Sequence, residues 1–380
     1  MSARPCTIGI DARKIRDYGI GRSIQGLLES FARIDGDDRF VLFVFENSLE
    51  SLPGDLPQLL NSPRFRLVKV DAPLYSAREI FAFRGAAARY GLDLFHFPHY
   101  VRAAAIACPI AITVHDAIHL MEPHSLPERA YARAMMEWSV RSAALLFTVS
   151  EAARADLERV LPVSRGRWNV VLNGIDVSRF APPDEAALLR YRTARELPDE
   201  FALAVGSHRT HKNLAAAIAA FESSVPGASL FVTARDDAAA RRLKPLLRGA
   251  SRTRALVPVR DDELPLLYAA ARVVIAPSRL EGFGLQGLEA LASGGAVLAS
   301  PIGAHLEILG DAAAYSKSTS TEDLAAALST LWADDTRLRD LRSRGPARAA
   351  LFPWDRSARR TLELYRRIAR ARSPAASILC

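Results

Sequence analysis

The sequence predicts an α/β protein built from two doubly wound domains, each a parallel sheet with helices on both faces. Short apolar, β-branched runs alternate with amphipathic stretches along most of the 380 residues. Near-continuous apolar strands alternating with helices belong to parallel sheets buried on both faces. The alternation breaks once, between Val177 and Glu200, where charge and three prolines (Pro182, Pro183, Pro198) replace any strand signal. The length suits about two to three domains.

The first series of strands reads Thr7–Asp11, Phe40–Phe45, Arg66–Val70, Leu92–Phe97, Ile110–Val114, Leu145–Val149 and Asn169–Leu172. Helical stretches between them are Gly21–Ile34, Ala77–Tyr90, Pro127–Ala143 and Glu151–Val160. The proline-rich connection holds a short helix around Asp184–Arg195. The second series then runs Phe201–Val205, Ser229–Thr233, Ala255–Val259, Val273–Ala276 and Val297–Ser300. Trp354, Ala358, Leu362, Tyr365 and Ile368 recur at helical spacing, so Pro353–Arg372 reads as one amphipathic helix. The domains are therefore expected at 1–177 and 178–352. In such sheets ligands lie outside the carboxyl ends of the strands, so the expected site is a cleft between two facing domains.

The apolar share of 49% and charged share of 24% fit a globular protein and exclude collagen-like, disulfide-scaffold and wholly disordered chains. Cys6, Cys108 and Cys380 form neither a metal spacing nor a disulfide framework. MSARPCTIGID lacks a long apolar stretch, so no signal peptide is expected and the location expected is cytoplasmic. The net charge of +8 invites a nucleic-acid reading, but its distribution argues against one. Between Arg337 and Arg372 there are 12 Arg and three acids, or +9, leaving the remainder near −1. The excess belongs to the terminal segment. It is either a solvated helix face or a peripheral contact for an anionic membrane at the inner face of the cell membrane.

Four constellations are suited to chemistry. Gly19 and Gly21 follow the first strand, where a tight loop brings backbone N–H groups to an anion or simply makes a turn. Ile24 occupies the third glycine position of a dinucleotide fingerprint, which weakens an NAD reading. His96, His99 and the pair His115–Asp116 follow apolar strands. His96 and His99 read as structural; His115 reads as functional, because strand end, His and Asp coincide. Arg209 and Lys212 follow the first strand of the second domain. In a chain with 45 Arg and five Lys, a planar fork beside a point charge suits a diphosphate. Finally, Glu281, Gly-Phe-Gly at 282–284 and Glu289 place two carboxylates around a helix start whose first N–H groups are unpartnered. Carboxylates accept hydrogen bonds from vicinal hydroxyls. Asp35-Gly-Asp37 reads as a turn, and Asp236-Asp237 and Asp261-Asp262 as helix starts.

These residues, in this order, resemble the family 4 retaining glycosyltransferases of the GT-B fold, two facing Rossmann-like domains. The likeness runs nearly end to end: GIGR at 19–22, HFPHY at 96–100, TVHD at 113–116, FTVSEAARADL at 147–157, VLNGID at 171–176, VGSHRTHKNL at 205–214, PSRLEGFGLQGLEALASG at 277–294 and LEILGDAAAY at 306–315. The dialect is similar to bacterial polysaccharide mannosyltransferases using GDP-mannose. The resemblance implies a hexosyltransferase with a nucleotide-sugar donor, a glycan or lipid-linked glycan acceptor, no metal and no other cofactor.

By resemblance, Glu289 holds the ribose, while Glu281 and the backbone of Phe283, Gly284 and Leu285 hold the sugar. Arg209 and Lys212 neutralise the leaving diphosphate, Gly19 and Gly21 approach it from the first domain, and His115 contacts the hexose. Helix 353–372 returns to the first domain. His211 stands where many members carry Arg, with Arg209 as the compensating cation. Competing readings are a UDP-hexose donor, a nucleotide-sugar epimerase and a non-catalytic binding subunit of the same shape. Acceptor choice is assigned to loops Asp71–Arg84 and Ala117–Arg129. Linkage and oligomeric state have no code in the sequence.

Overall fold

A computed structural model describes residues 4–49, 52, 56–74 and 76–371; Arg372 and Cys380 lie outside them. The chain forms two compact units. One holds the described residues up to Gly174 together with those from Trp354 onward; the other is Ile175–Pro353.

The first unit carries seven parallel strands: β1 (Thr7–Asp11), β2 (Arg39–Val44), β3 (Phe65–Lys69), β4 (Leu94–Phe97), β5 (Ile110–Thr113), β6 (Leu145–Thr148) and β7 (Trp168–Val170). Their order is β3-β2-β1-β4-β5-β6-β7. The second unit has six: β8 (Phe201–Ala204), β9 (Ser229–Thr233), β10 (Thr253–Leu256), β11 (Val273–Ala276), β12 (Val297–Ala299) and β13 (Ala314–Tyr315), ordered β10-β9-β8-β11-β12-β13. Central strands such as β4, β5, β6 and β8 are buried at every residue, which explains their unbroken apolar sequences. In each sheet the order reverses once, between β1 and β4 and between β8 and β11. Connections leave in opposite directions there and open a crevice at the strand ends.

Two expectations need correction, and one strand was not expected. The stretch 77–90 is two short helices, Ala77–Phe81 and Ala86–Tyr90, separated by Gly85 at φ +78°. The strand expected at Ala255–Val259 is β10, Thr253–Leu256, because pairing with β9 begins at Thr253↔Leu230 and Pro258 has no N–H to donate. The two-residue strand β13 is too short to leave a periodic signal.

The basic segment is also not one tail. Helix Asp335–Ala349 belongs to the second unit and helix Trp354–Arg370 to the first. Several of its arginines hold structure. Arg342 donates to the Ala271 and Arg272 carbonyls, Arg348 to the Glu307 and Ile308 carbonyls, and Arg366 pairs with Asp38 at 2.7 Å. Arg356, Arg359, Arg367 and Arg370 are exposed. The opposite face of the Trp354–Arg370 helix buries Ala358, Leu362, Leu364 and Tyr365 in the core with Ile24, Leu28 and Phe31 of helix Tyr18–Arg33. Burial of each such large apolar side chain contributes roughly 1.5–3 kcal/mol, enough to dock a helix with so many charges. Close approach needs Gly26, where a Cβ would lie 2.2 Å from the Trp354 ring, and Gly174, where one would lie 2.5 Å from the Trp354 backbone nitrogen.

In the second unit the Asp335–Ala349 helix presses on helix Leu285–Ala292 in the same way. A Cβ on Gly345 would sit 2.6 Å from the Leu291 carbonyl oxygen, and backbone cannot step aside. Gly345→Ala is expected to destabilise this unit by about 1–3 kcal/mol net, overpacking exceeding the ~1 kcal/mol gain in helix propensity. Urea unfolding should show a lower midpoint with an unchanged m-value.

Candidate active site

At the crevice of the second unit, the loops after β8 and β11 meet. The β11 loop runs Pro277 to Gly284, and Gly284 at φ +86° is the N-cap of helix Leu285–Ala292. That left-handed conformation is open to glycine and costly for a side chain. The Phe283 side chain is buried 6.0 Å from Phe352, anchoring the loop. The β8 loop ends in a 3-10 turn, Thr210–Lys212, entered from an exposed Arg209. Asn213 at φ +53° follows, and its Nδ2 donates to the Pro277 carbonyl at 3.1 Å and the Thr319 carbonyl at 2.9 Å. The Arg279 N–H donates to the His211 carbonyl at 2.7 Å. The two loops are thus laced by one backbone bond and by the Asn213 side chain.

This lacing sets Lys212 Nζ 2.6 Å from Glu281 Oε1 and 3.4 Å from Gln286 Oε1. Ser278 Oγ donates to the same Glu281 oxygen at 2.7 Å. Burial pushes the Glu281 carboxyl up, but the Lys212 ammonium, with the Lys212 and Ser278 hydrogen bonds, holds it below the usual carboxylate range. Glu289, about one turn into the helix, is buried, and Tyr268 Oη donates to its Oε2 at 3.2 Å. A pocket at the loops is lined by Ser278, Glu281, Gly284, Gln286 and His305 among others.

The first unit gathers its polar residues at the ends of β1, β4 and β5. His115 Nε2 lies 3.0 Å from the Pro98 carbonyl oxygen, which only accepts, so Nε2 carries the hydrogen. Burial pushes this imidazole down, toward the neutral ring whose Nδ1 offers a lone pair. In the sequence His115 stands out by its place at a strand end beside Asp116. Here the Pro98 carbonyl holds the ring, and Asp116 accepts the Ile118 N–H at 2.9 Å.

Gly19 is exposed and Gly21 buried in the first turn of helix Tyr18–Arg33, which starts three residues earlier than expected. A Cβ on Gly21 would lie 2.6 Å from the Ile15 carbonyl oxygen, so its close approach is to its own loop. Asp11 accepts from Arg13 Nε at 2.8 Å and Nη2 at 2.6 Å, and Arg13 Nη2 also reaches Glu79 at 2.7 Å. The Val101 N–H donates to His99 Nδ1, so His99 Nε2–H donates to Asp11, 3.1 Å away. Asp11, Glu79 and His99 cluster like metal ligands, yet Arg13 supplies both carboxylates with positive charge from the chain itself.

Comparison with known proteins decides what these crevices belong to. Residues 18–179 match the family described as Glycosyltransferase Family 4, and residues 189–348 match Glycosyl transferases group 1. The chain is a family 4 glycosyltransferase. O-antigen chain mannosyltransferase B of Escherichia coli is 27% identical over 338 residues, 84% of this chain and 86% of its own. A D-inositol 3-phosphate glycosyltransferase of Corynebacterium urealyticum is 32% identical over 247 residues, 60% of this chain and 57% of its own. Among solved structures, sucrose-phosphate synthase from Thermosynechococcus elongatus superposes with a TM-score of 0.78 at 22% identity, covering 97% of this chain and 100% of its own. WaaG, a glycosyltransferase involved in lipopolysaccharide biosynthesis, gives 0.74 at 16% identity, covering 94% and 99%. These likenesses show the GT-B fold, and the family matches show a glycosyltransferase.

Of the transferase residues singled out in the sequence, Lys212, Glu281, Phe283, Gly284, Leu285 and Glu289 lie on the two laced loops and the helix they open, with Arg209 at the start of the turn. Gly19, Gly21 and His115 belong to the other unit. Sequence reasoning missed Asn213 as the tie between loops, Tyr268 behind Glu289, and His305. Each acts through a contact with a residue distant in sequence, so no local spacing betrays it.

His96 is structural, as read. Tyr365 Oη is 2.5 Å from its Nδ1, and its Nε2 is 2.8 Å from Thr113 Oγ1. Burial drives its pKa down to about 3. Between pH 6.5 and about 3 the unfolded enzyme binds a proton here that the folded enzyme does not. The associated stability is therefore complete above pH 6.5 and is lost as pH falls through that window. His96→Gln is expected to reduce the acid-side slope of unfolding free energy by about 1.4 kcal/mol per pH unit. Urea titrations from pH 6.5 to 4 check this, and an unchanged slope refutes the neutral, buried His96.

Proposed function

We propose that this transferase moves mannose from GDP-mannose, with retention, to a glycan or lipid-linked glycan acceptor in bacterial surface polysaccharide synthesis. The observation that carries the reading is the Lys212–Glu281 pair at 2.6 Å beside the opening of helix Leu285–Ala292. The O-antigen mannosyltransferases among its relatives support the sugar.

As the bond from the anomeric carbon to the diphosphate breaks, negative charge grows on the leaving phosphate. Lys212, Arg209 and the first N–H groups of helix Leu285–Ala292 stabilise it where it develops. This charge set asks for no metal or other cofactor. Glu281 has Oε1 committed to Lys212 and Ser278, leaving Oε2 to receive sugar hydroxyls, with the backbone of Phe283, Gly284 and Leu285 alongside. Glu289, oriented by Tyr268, takes the ribose. In the first unit, His115 Nδ1 is an acceptor suited to a sugar hydroxyl, and Gly19 and Gly21 lie at the start of helix Tyr18–Arg33, an end suited to an anion. Retention follows when the acceptor oxygen bonds the anomeric carbon from the face the phosphate leaves, its proton passing to the departing phosphate oxygen.

Lys212→Ala is expected to lower turnover by about 100-fold or more, since a preorganised charge is lost where charge develops. Transfer at near-normal rates in a folded variant would sink the assignment. Calorimetry with GDP-mannose, GDP, UDP-glucose and UDP checks the donor: selective binding of the GDP species is expected, and UDP selectivity overturns the choice.

The exposed Arg356, Arg359, Arg367 and Arg370 support a peripheral contact with the anionic membrane that carries a lipid-linked acceptor. Sedimentation with anionic vesicles should show binding that weakens with salt. Absent or salt-insensitive binding removes this part of the reading.

A further inference from the structure

The polar wall of the donor pocket extends to a residue that no motif carries. His305 lies in helix Gly303–Leu309, after β12, and is 2% exposed. Its Nδ1 is 3.0 Å from the Ser300 carbonyl oxygen. A carbonyl only accepts, so Nδ1 carries the hydrogen, and in the neutral ring Nε2 carries the lone pair. Burial pushes the imidazole toward that neutral form, with Glu281 pulling the other way and Lys212 adding to the push. The Nε2 edge of the ring faces Gly284: a Cβ there would lie 3.0 Å from Cδ2 and 3.4 Å from Nε2. Gly284 is favoured by its φ of +86°, and a side chain there would also crowd the imidazole.

His305 and Glu281 line the same pocket and are joined behind it. The Ser300 hydroxyl donates to the Ser278 carbonyl, and the Ser278 hydroxyl donates to Glu281 Oε1. The wall therefore presents two acceptors, Glu281 Oε2 and His305 Nε2. Two acceptors lining one pocket select a ligand with two donors. Vicinal hydroxyls of a hexose meet that demand; an ionised diphosphate, which has no hydrogen to give, does not.

We propose that His305 is a specificity-determining residue for the transferred sugar, its Nε2 accepting a hydrogen bond from one ring hydroxyl while Glu281 accepts from the neighbouring one. This rests on the donor-site reading above. It concerns the sugar and not the nucleoside diphosphate, and the test exploits that difference.

His305→Asn keeps an amide N–H where Nδ1 stands, preserving the bond to Ser300, and removes the acceptor at Nε2. His305→Gln places an amide oxygen near Nε2. Calorimetry uses GDP-mannose and GDP, or UDP-glucose and UDP, according to which pair the wild-type protein binds. In H305N the Kd for the nucleotide sugar is expected to rise about tenfold, while that for the nucleoside diphosphate stays within about twofold. H305Q is expected to recover most of the loss. An unchanged ratio of the two affinities in folded H305N overturns the proposal and leaves the donor site standing. Wild-type protein that binds no nucleotide sugar overturns both. Should H305N unfold, wild-type protein is titrated with donor analogues lacking one ring hydroxyl each. Two adjacent positions are expected to cost about tenfold each, and a series in which no neighbouring pair matters overturns the proposal.

Discussion

A carboxylate and an ammonium, both mostly withdrawn from water, face each other across two loops of the second unit. Lys212 and Glu281 are 17% and 13% exposed, so each loses most of its hydration and is sustained by the other. Removing one partner of such a pair typically costs about 3–5 kcal/mol, because the remaining charge has nowhere to go. The pair stands only if both loops are held still. The Asn213 bonds to Pro277 and Thr319, the Arg279 bond to His211 and the seating of Phe283 against Phe352 do that holding. The helix carrying Glu289 is held in turn by Gly345, whose missing side chain lets the Asp335–Ala349 helix come to backbone contact.

The first unit solves the same problem with different residues. Asp11 ends β1 fully buried; burial pushes its carboxyl up, and hydrogen bonds from Arg13 and His99 pull it far below the carboxylate range. Arg13 also spends donors on Glu79 and the Ala72 carbonyl, so the loop after β1 is pinned to the short helix Ala77–Phe81. His96 joins Thr113 to Tyr365, tying the terminal helix to the sheet with a neutral imidazole. In both units the polar groups sit at strand ends beside the reversal of strand order, where main-chain connections part and leave room for side chains.

Much of this was legible in the chain. Apolar runs such as LFHF and IAIT can only be central strands, and their places matched within a residue or two. Lys212, Glu281 and Glu289 were visible because a turn, a glycine pair and charge coincide over a few residues. What stayed hidden were partnerships across sequence. Glu281 with Lys212 spans 69 residues, Tyr268 with Glu289 spans 21, and His96 with Tyr365 spans 269. The partner that fixes the His115 tautomer, the Pro98 carbonyl, lies seventeen residues away and has no mark in the TVHD stretch. The basic segment 337–372 was read as one tail because charge is additive along a sequence; the fold divides it and spends several of its arginines on carbonyls and Asp38.

The sequence by itself determined the strand and helix alternation, the two-domain division and the residues at the turns that open the helices. It did so because periodicity, glycine and capping act within a few residues. Only the tertiary structure decided which charges are paired, which histidine nitrogens carry hydrogens, and that His305 joins the wall of the pocket. Those outcomes depend on burial and on the direction of a distant donor or acceptor, and neither is written in any local stretch of chain.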